Sequence, residues 1–164
     1  MSKADLDKLL AQFPSAIVSS HSKCGDDTAV VRGENLLEVM RWLKGSLGYD
    51  FLVDLTAVDF LGREPRFEVV YHMRSMQSGS RLRVKTPVAY VEEGPNPEVP
   101  SMVALWPTAN WMEREVWDMY GIKFTGHPDL RRVLMYEEFV GFPLRKDYPK
   151  EKRQPLIRRD YSME

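Results

Sequence analysis

The sequence has very little of what redox and metal centres are built from. Its 164 residues include one cysteine, Cys24. A lone thiol cannot form an internal disulfide, nor can it by itself hold an iron–sulfur cluster or a structural zinc. A reducing compartment is the expectation. Cys24 also falls in a polar turn without the electropositive surroundings that activate a thiol. Net charge is almost absent: the formal value is −1, so no overall field favours nucleic acid or an anionic membrane. No apolar run approaches the ~20 residues needed to cross a bilayer. The opening MSKADLDKLLAQF sets acids among its leucines and is not expected to act as a signal peptide. Catalytic fingerprints are missing too. There is no G-x-G-x-x-G, P-loop, H-E-x-x-H or G-x-S-x-G. His21, His72 and His127 have no metal-ligand spacing, and His72, mid-strand beside Tyr71, is expected to be structural.

What remains is the pattern of an ordinary globular domain, without internal repeats or low-complexity segments. Ser2 and Asp5 resemble a capping box, and Leu6, Leu9, Leu10 and Phe13 then recur at helical spacing up to Pro14. SAIVSS (15–20) and TAVVR (28–32) are β-prone, and HSKCGDD between them reads as a hairpin turn. From Glu34 to Leu47, the residues Leu36, Leu37, Met40, Leu43 and Leu47 form one helical face, with Gly48 at the C-cap position. FLVDLTAVDF (51–60) is a strand ended by Gly62 and Pro65. RFEVVYHMR (66–74) and RLRVKTPVAYV (81–91) both alternate and read as an antiparallel pair. Pro87 points to an edge position or a bulge. EEGPNPEVP (92–100) reads as a surface connection. Asn110 and Glu113 again resemble a capping box, opening a short helix, WMEREVWDMY, that Gly121 closes. The predicted fold is a two-layer α+β domain with one mixed five-stranded sheet, in the order helix, two strands, helix, three strands, helix. Residues 1–142 form the domain, and 143–164 form an irregular tail.

Residues 106–134, WPTANWMEREVWDMYGIKFTGHPDLRRVL, are the densest in information. Met112, Val116 and Met119 or Tyr120 make a core stripe, and Arg114 and Asp118 are spaced for a surface ion pair. Trp106, Trp111 and Trp117 suit either a core or an interface. The run Glu113-Arg114-Glu115, Asp118, Met119-Tyr120-Gly121-Ile122 is followed by F-x-G-H-P-D-L-R-R-V-L from Phe124 to Leu134. G-F-P-L-R-K-D-Y-P then spans Gly141 to Pro149. Together these strongly resemble the C-type subunit of proton-pumping NADH:quinone oxidoreductase, respiratory complex I. VVYHMRSMQSGSRLRVKTPV (69–88) and the P-S-M-V-A-L-W-P-T-A-N-W run also look like that family, so the resemblance covers roughly residues 30–149. Only KEKRQPLIRRDYSME follows the last motif, as in shorter-tailed members.

The resemblance implies the same α+β fold and a structural subunit of the peripheral arm with no cofactor of its own. Such a subunit packs on the hydrogenase-like D-type subunit near the quinone site, and its neighbours include the subunits that carry iron–sulfur clusters. It would lie on the cytoplasmic face of the bacterial inner membrane and meet the membrane only through the complex. A related subunit of a ferredoxin-linked oxidoreductase or membrane-bound hydrogenase is the alternative. A nucleic-acid-binding module is remote, because the chain is not basic overall, and a free-standing enzyme would need a nucleophile–base pair that the sequence does not offer. The residues expected to form the signature and the interfaces are Glu113, Arg114, Glu115, Asp118, His127, Asp129, Arg131, Arg132, Arg145, Lys146 and Asp147. Arg114 is expected to reach the loop carrying His127 to Arg132 and to fix geometry rather than move protons. The basic tail, from Arg145 to Arg159 with Pro143, Pro149 and Pro155, is expected to be an arm that orders on a neighbouring subunit. Its apolar contacts would be Leu144, Tyr148 and Leu156.

Overall fold

The structure, a computed structural model, describes residues 3–92, 94–151 and 154. Helix α1 (Lys3–Gln12) precedes the hairpin β1 (Ile17–Lys23) and β2 (Asp26–Val31); a 3-10 turn leads into α2 (Leu36–Leu47). Strands β3 (Phe51–Asp59), β4 (Phe67–Arg74) and β5 (Arg81–Val88) form a meander. β6 (Glu98–Pro100), α3 (Ala109–Tyr120) and β7 (Lys123–Thr125) complete the body. The main sheet is mixed, in the order β1-β2-β5-β4-β3. α2 carries the chain to the far edge, and the meander returns to set β5 parallel beside β2, with Ala29 opposite Val84.

Alternation decides which face is covered. Phe67, Val69, Tyr71 and Met73 of β4 and Leu82 and Val84 of β5 point inward and share one core with Leu9, Val39, Met40, Leu43, Trp106 and Val116 from the helical layer. Fully buried aliphatic side chains contribute ~1.5–3 kcal/mol each. The α2 stripe of Leu36, Val39, Met40 and Leu43, wholly buried, thus contributes ~6–12 kcal/mol before ordering entropy is subtracted, comparable to a typical net stability of ~5–15 kcal/mol. Gly48 ends that helix in the left-handed region at φ 70°, and the next amide, Tyr49 N–H, donates back to Leu43 O at 3.1 Å.

Four expectations change, and a fifth, the Ser2–Asp5 capping box, falls partly outside the described residues. The β1–β2 hairpin is tighter than HSKCGDD suggested: only Cys24 and Gly25 turn, at φ 57° and 81°, a two-residue turn whose twist matches the flanking strands. Asp5 pairs with Lys8 at 3.3 Å and accepts from the Tyr49 hydroxyl at 3.2 Å; Ser2 lies outside the described residues. Pro87 sits on an interior strand with unbroken register to β4. It is tolerated because β2 pairs β5 only as far as Lys85, so no ladder donor is needed there. The proline-rich connection contains β6, which pairs in parallel with β7 through Val99 and Phe124. Asn110 caps nothing: α3 begins after Thr108, which makes no side-chain cap bond, and Glu113 is engaged elsewhere.

Candidate functional site

Helical geometry separates the charged residues of α3 onto two faces. Glu113 points inward with Val116, while Arg114 and Asp118, one turn apart, share a flank. Glu113 is fully buried. Its carboxylate accepts from the Ser101 hydroxyl at 2.7 Å and from Met102 N–H at 2.6 Å, which fastens the helix to the turn after β6. Burial raises its pKa to about 7 against the opposing pull of those two donors. Tyr71, also fully buried, has a hydroxyl without a hydrogen-bond partner among the described residues. Burial, then the Glu113 charge, hold that phenol well above its ordinary range.

The flank residues organise the irregular segment that follows β7. One oxygen of the wholly buried Asp118 carboxylate collects three successive amides, Val133 at 3.1 Å, Leu134 at 2.8 Å and Met135 at 2.8 Å. The other accepts from Arg132 Nη1 at 2.6 Å. Burial alone would raise the Asp118 pKa, but the Met135 amide, Arg132 and the Leu134 and Val133 amides together hold it low. Arg132 also donates to Phe139 O at 2.9 Å and Gly141 O at 3.1 Å. Arg114 donates to the carbonyls of Arg131 at 3.2 Å and Arg132 at 3.3 Å and lies 4.7 Å over the Trp111 ring. The expected Arg114–Asp118 surface pair is therefore replaced: both are buried, and Asp118 takes Arg132 as its cation because the 131–141 segment folds back over the helix.

A second hub ties down the residues that follow. Arg66 grips Asp59 with two bonds, at 2.9 and 2.8 Å, and reaches Asp147 at 2.9 Å. Lys146 N–H donates to Asp59 at 2.8 Å. Burial pushes Asp59 up, but Arg66 and that amide bring it below its usual value. Arg66 likewise holds Asp147 low. Arg145 donates to Tyr120 O at 2.6 Å and packs over Phe142 at 4.5 Å. Its pKa is lowered, chiefly by burial. Gly121, at φ 73°, leaves room for this strap, since a Cβ there would lie 2.5 Å from the Phe142 ring. Residues 144–148 are thus bonded to the body. Lys152, Arg153, Leu156, Arg158 and Arg159 lie outside the described residues.

The signature residues are only partly brought together. Arg114, Asp118 and Arg132 meet, with the backbone of Arg131. Glu113 lies in a separate buried site, and Glu115 is exposed. His127 joins neither hub: its Nε2 faces Asn110 O on α3 at 3.1 Å, and its Nδ1 accepts from Asp129 N–H at 3.0 Å. Asp129 and Arg131 form an exposed pair at 2.9 Å. Arg145, Lys146 and Asp147 belong to the second hub. Sequence reasoning missed Asp59, Arg66, Ser101 and Tyr71. Opposite charges flanking the Gly62–Pro65 break were the available sign of the Asp59–Arg66 pair. Among the described residues, no three His, Cys, Asp or Glu side chains are grouped to hold a metal.

The three tryptophans divide. Trp106 is core and donates to Tyr49 O at 3.2 Å, Trp117 packs edge-on against Phe142, and Trp111 is 63% exposed. Leu134, Tyr136, Val140 and Leu144, all on the segment anchored by the two hubs, are exposed large apolar side chains as well. Exposed apolar side chains gathered on one short segment are a feature of surfaces that meet other proteins.

Residues 29–154 match the family model described as respiratory-chain NADH dehydrogenase, 30 Kd subunit, and the chain belongs to that family. It is 46% identical over 142 residues to the C-type subunit of NADH-quinone oxidoreductase from Citrifermentans bemidjiense, covering 87% of this chain and 86% of that one. To the protein of the same name from Roseiflexus sp. strain RS-1 it is 49% identical over 146 residues, covering 88% and 82%. A chain from the membrane-bound sulfane sulfur reductase, an archaeal respiratory membrane complex, has the same fold at TM-score 0.75 and 22% identity, over 92% of this chain and 86% of that one. No helix among the described residues is long and apolar enough to cross a membrane.

Proposed function

We propose that this protein is a cofactor-free structural subunit in the peripheral arm of a proton-translocating NADH:quinone oxidoreductase. It packs on the hydrogenase-like D-type subunit near the quinone site, at the cytoplasmic face of the bacterial membrane, and the redox chemistry is carried by neighbouring chains. One observation carries the reading. The buried charged residues of α3, Glu113, Arg114 and Asp118, are committed to holding backbone, and the segment that Arg114 and Asp118 hold turns Leu134, Tyr136 and Val140 outward. A general acid or base must be free to reach a substrate. Asp118, with four hydrogen bonds and no exposure, is not. Family membership and the names of its relatives support the complex.

The test is assembly. Leu134→Glu with Val140→Glu places charges on the proposed docking face without removing any side chain that either hub uses. The double variant should fold as the wild type does when made alone, yet be largely lost from complexes captured through a tag on the hydrogenase-like subunit. Full retention of the variant would overturn the placement of the face. Failure of the wild-type chain to be captured would overturn the function.

A further inference from the structure

The apolar docking face also carries charge, and that charge is of one sign. Tyr136, Glu137, Glu138 and Phe139 form a tight turn, closed by Phe139 N–H donating to Tyr136 O at 3.1 Å. The body holds this turn firmly. Arg132 donates to Phe139 O at 2.9 Å, and the Phe139 ring packs edge-on against Tyr136 at 5.6 Å and stacks on Tyr148 at 6.0 Å. Glu137 and Glu138 occupy the two corners, and both are exposed.

The cations of this region are engaged elsewhere. Arg132 is taken by Asp118, Arg131 by Asp129, and Arg66 by Asp59 and Asp147. Arg114 and Arg145 donate to main-chain carbonyls. No cation among the described residues, Lys146 and Lys150 included, pairs with Glu137 or Glu138. The apolar side chains lie on the same segment: Leu134 and Tyr136 precede the two glutamates and Val140 follows them, all exposed. Trp111, 63% exposed, continues the face onto α3, because Arg114 lies over its ring and also holds the carbonyls of Arg131 and Arg132. Glu115, one turn on from Trp111, is exposed and makes no ion pair among the described residues.

We infer that the surface docking here is a basic one. Lysine or arginine side chains of a neighbouring subunit stand opposite Glu137, Glu138 and Glu115, around an apolar patch that covers Leu134, Tyr136 and Val140. This rests on the proposed place of the chain in a multisubunit complex and names the chemistry of the partner. The exposed apolar side chains mark a surface that is covered; the sign of the charge selects what covers it. Nucleic acid and anionic lipid headgroups share the sign of these glutamates and are repelled. An acidic protein surface would set like charges together, which opposes binding.

The test is charge reversal. Glu137→Lys with Glu138→Lys should lower retention several-fold, at low salt, in complexes captured through the hydrogenase-like subunit. Glu137→Gln with Glu138→Gln should give intermediate retention and a weaker salt response than the wild type. Both variants should unfold at the wild-type temperature when made alone, because neither glutamate side chain holds any part of the body. Retention and salt response of the reversal variant equal to those of the wild type would overturn the inference alone, since Leu134→Glu with Val140→Glu reports on the docking face independently. Zero-length carbodiimide links from these carboxylates only to lysines of this same chain would assign the charge to an internal partner and overturn it too. So would saturable calcium or magnesium binding to the isolated chain that the Gln variant abolishes. A wild-type chain that is not captured would overturn the proposed function, and this inference with it.

Discussion

Replacing Glu113 by Gln should change how stability depends on pH, and the structure sets the size of the change. The buried carboxyl has a pKa of about 7, against 4.5 for an ordinary glutamate. The folded protein therefore binds that proton more tightly than the unfolded chain does. The stabilisation that the proton confers is complete below the unfolded pKa and is lost as pH rises through the folded one. The window is pH 4.5 to 7. At ~1.36 kcal/mol per pKa unit, the wild type should lose up to about 3 kcal/mol from this group across it, and somewhat less where local relaxation eases the burial. Gln keeps the shape and an acceptor oxygen but does not titrate. Urea unfolding followed by the fluorescence of the four tryptophans measures both proteins from pH 4.5 to 8. The variant should gain on the wild type steadily with pH. Asp59, Asp118 and Asp147, with lowered pKa values, act in the opposite sense and at lower pH, and they cancel in the difference. Parallel pH profiles for the two proteins would refute the reasoning.

Two further substitutions test the hubs. Arg114→Ala strips donors from the carbonyls of Arg131 and Arg132 and removes the contact with Trp111. The expected loss is ~2–4 kcal/mol by chemical denaturation, with Arg114→Lys recovering only part of it because an ammonium lacks the planar fork. Gly121→Ala combines a left-handed backbone with a Cβ 2.5 Å from Phe142. It should cost ~2–4 kcal/mol and expose the 142–148 strap to limited proteolysis.

Most of the body was legible in the sequence because its elements are long enough to carry a period. The α2 stripe closed by Gly48 and the alternation of β4 and β5 needed nothing beyond their own residues. β6 and β7 did not, because three-residue strands hold no period and exist only by pairing with each other across α3. Glu113, Arg114 and Asp118 were legible as a signature, and Arg114 as reaching the His127–Arg132 loop, but the partners of Glu113 and Asp118 were not. A charge on a helix invites a partner one turn away, whereas the amides that bind Asp118 lie 15 to 17 positions downstream. The same distance hid the ordering of residues 144–148. Composition described that stretch as part of an arm ordering on a neighbouring subunit, whereas contacts from Asp59, Arg66 and Tyr120 bond it to this chain's own body.

The β6–β7 ribbon also bears on the order in which the molecule forms. Joining Val99 to Phe124 closes the chain around α3, and a closure of that span gives up loop entropy before any contact offsets it. The hairpins of the main sheet are local and do not wait for it. Placement of α3, and with it the Asp118 grip that turns Leu134 outward, thus depends on a closure that the local hairpins do not need. A chain that has not made that closure lacks the proposed docking face, so under the proposed function a partner reading this face would select chains that have.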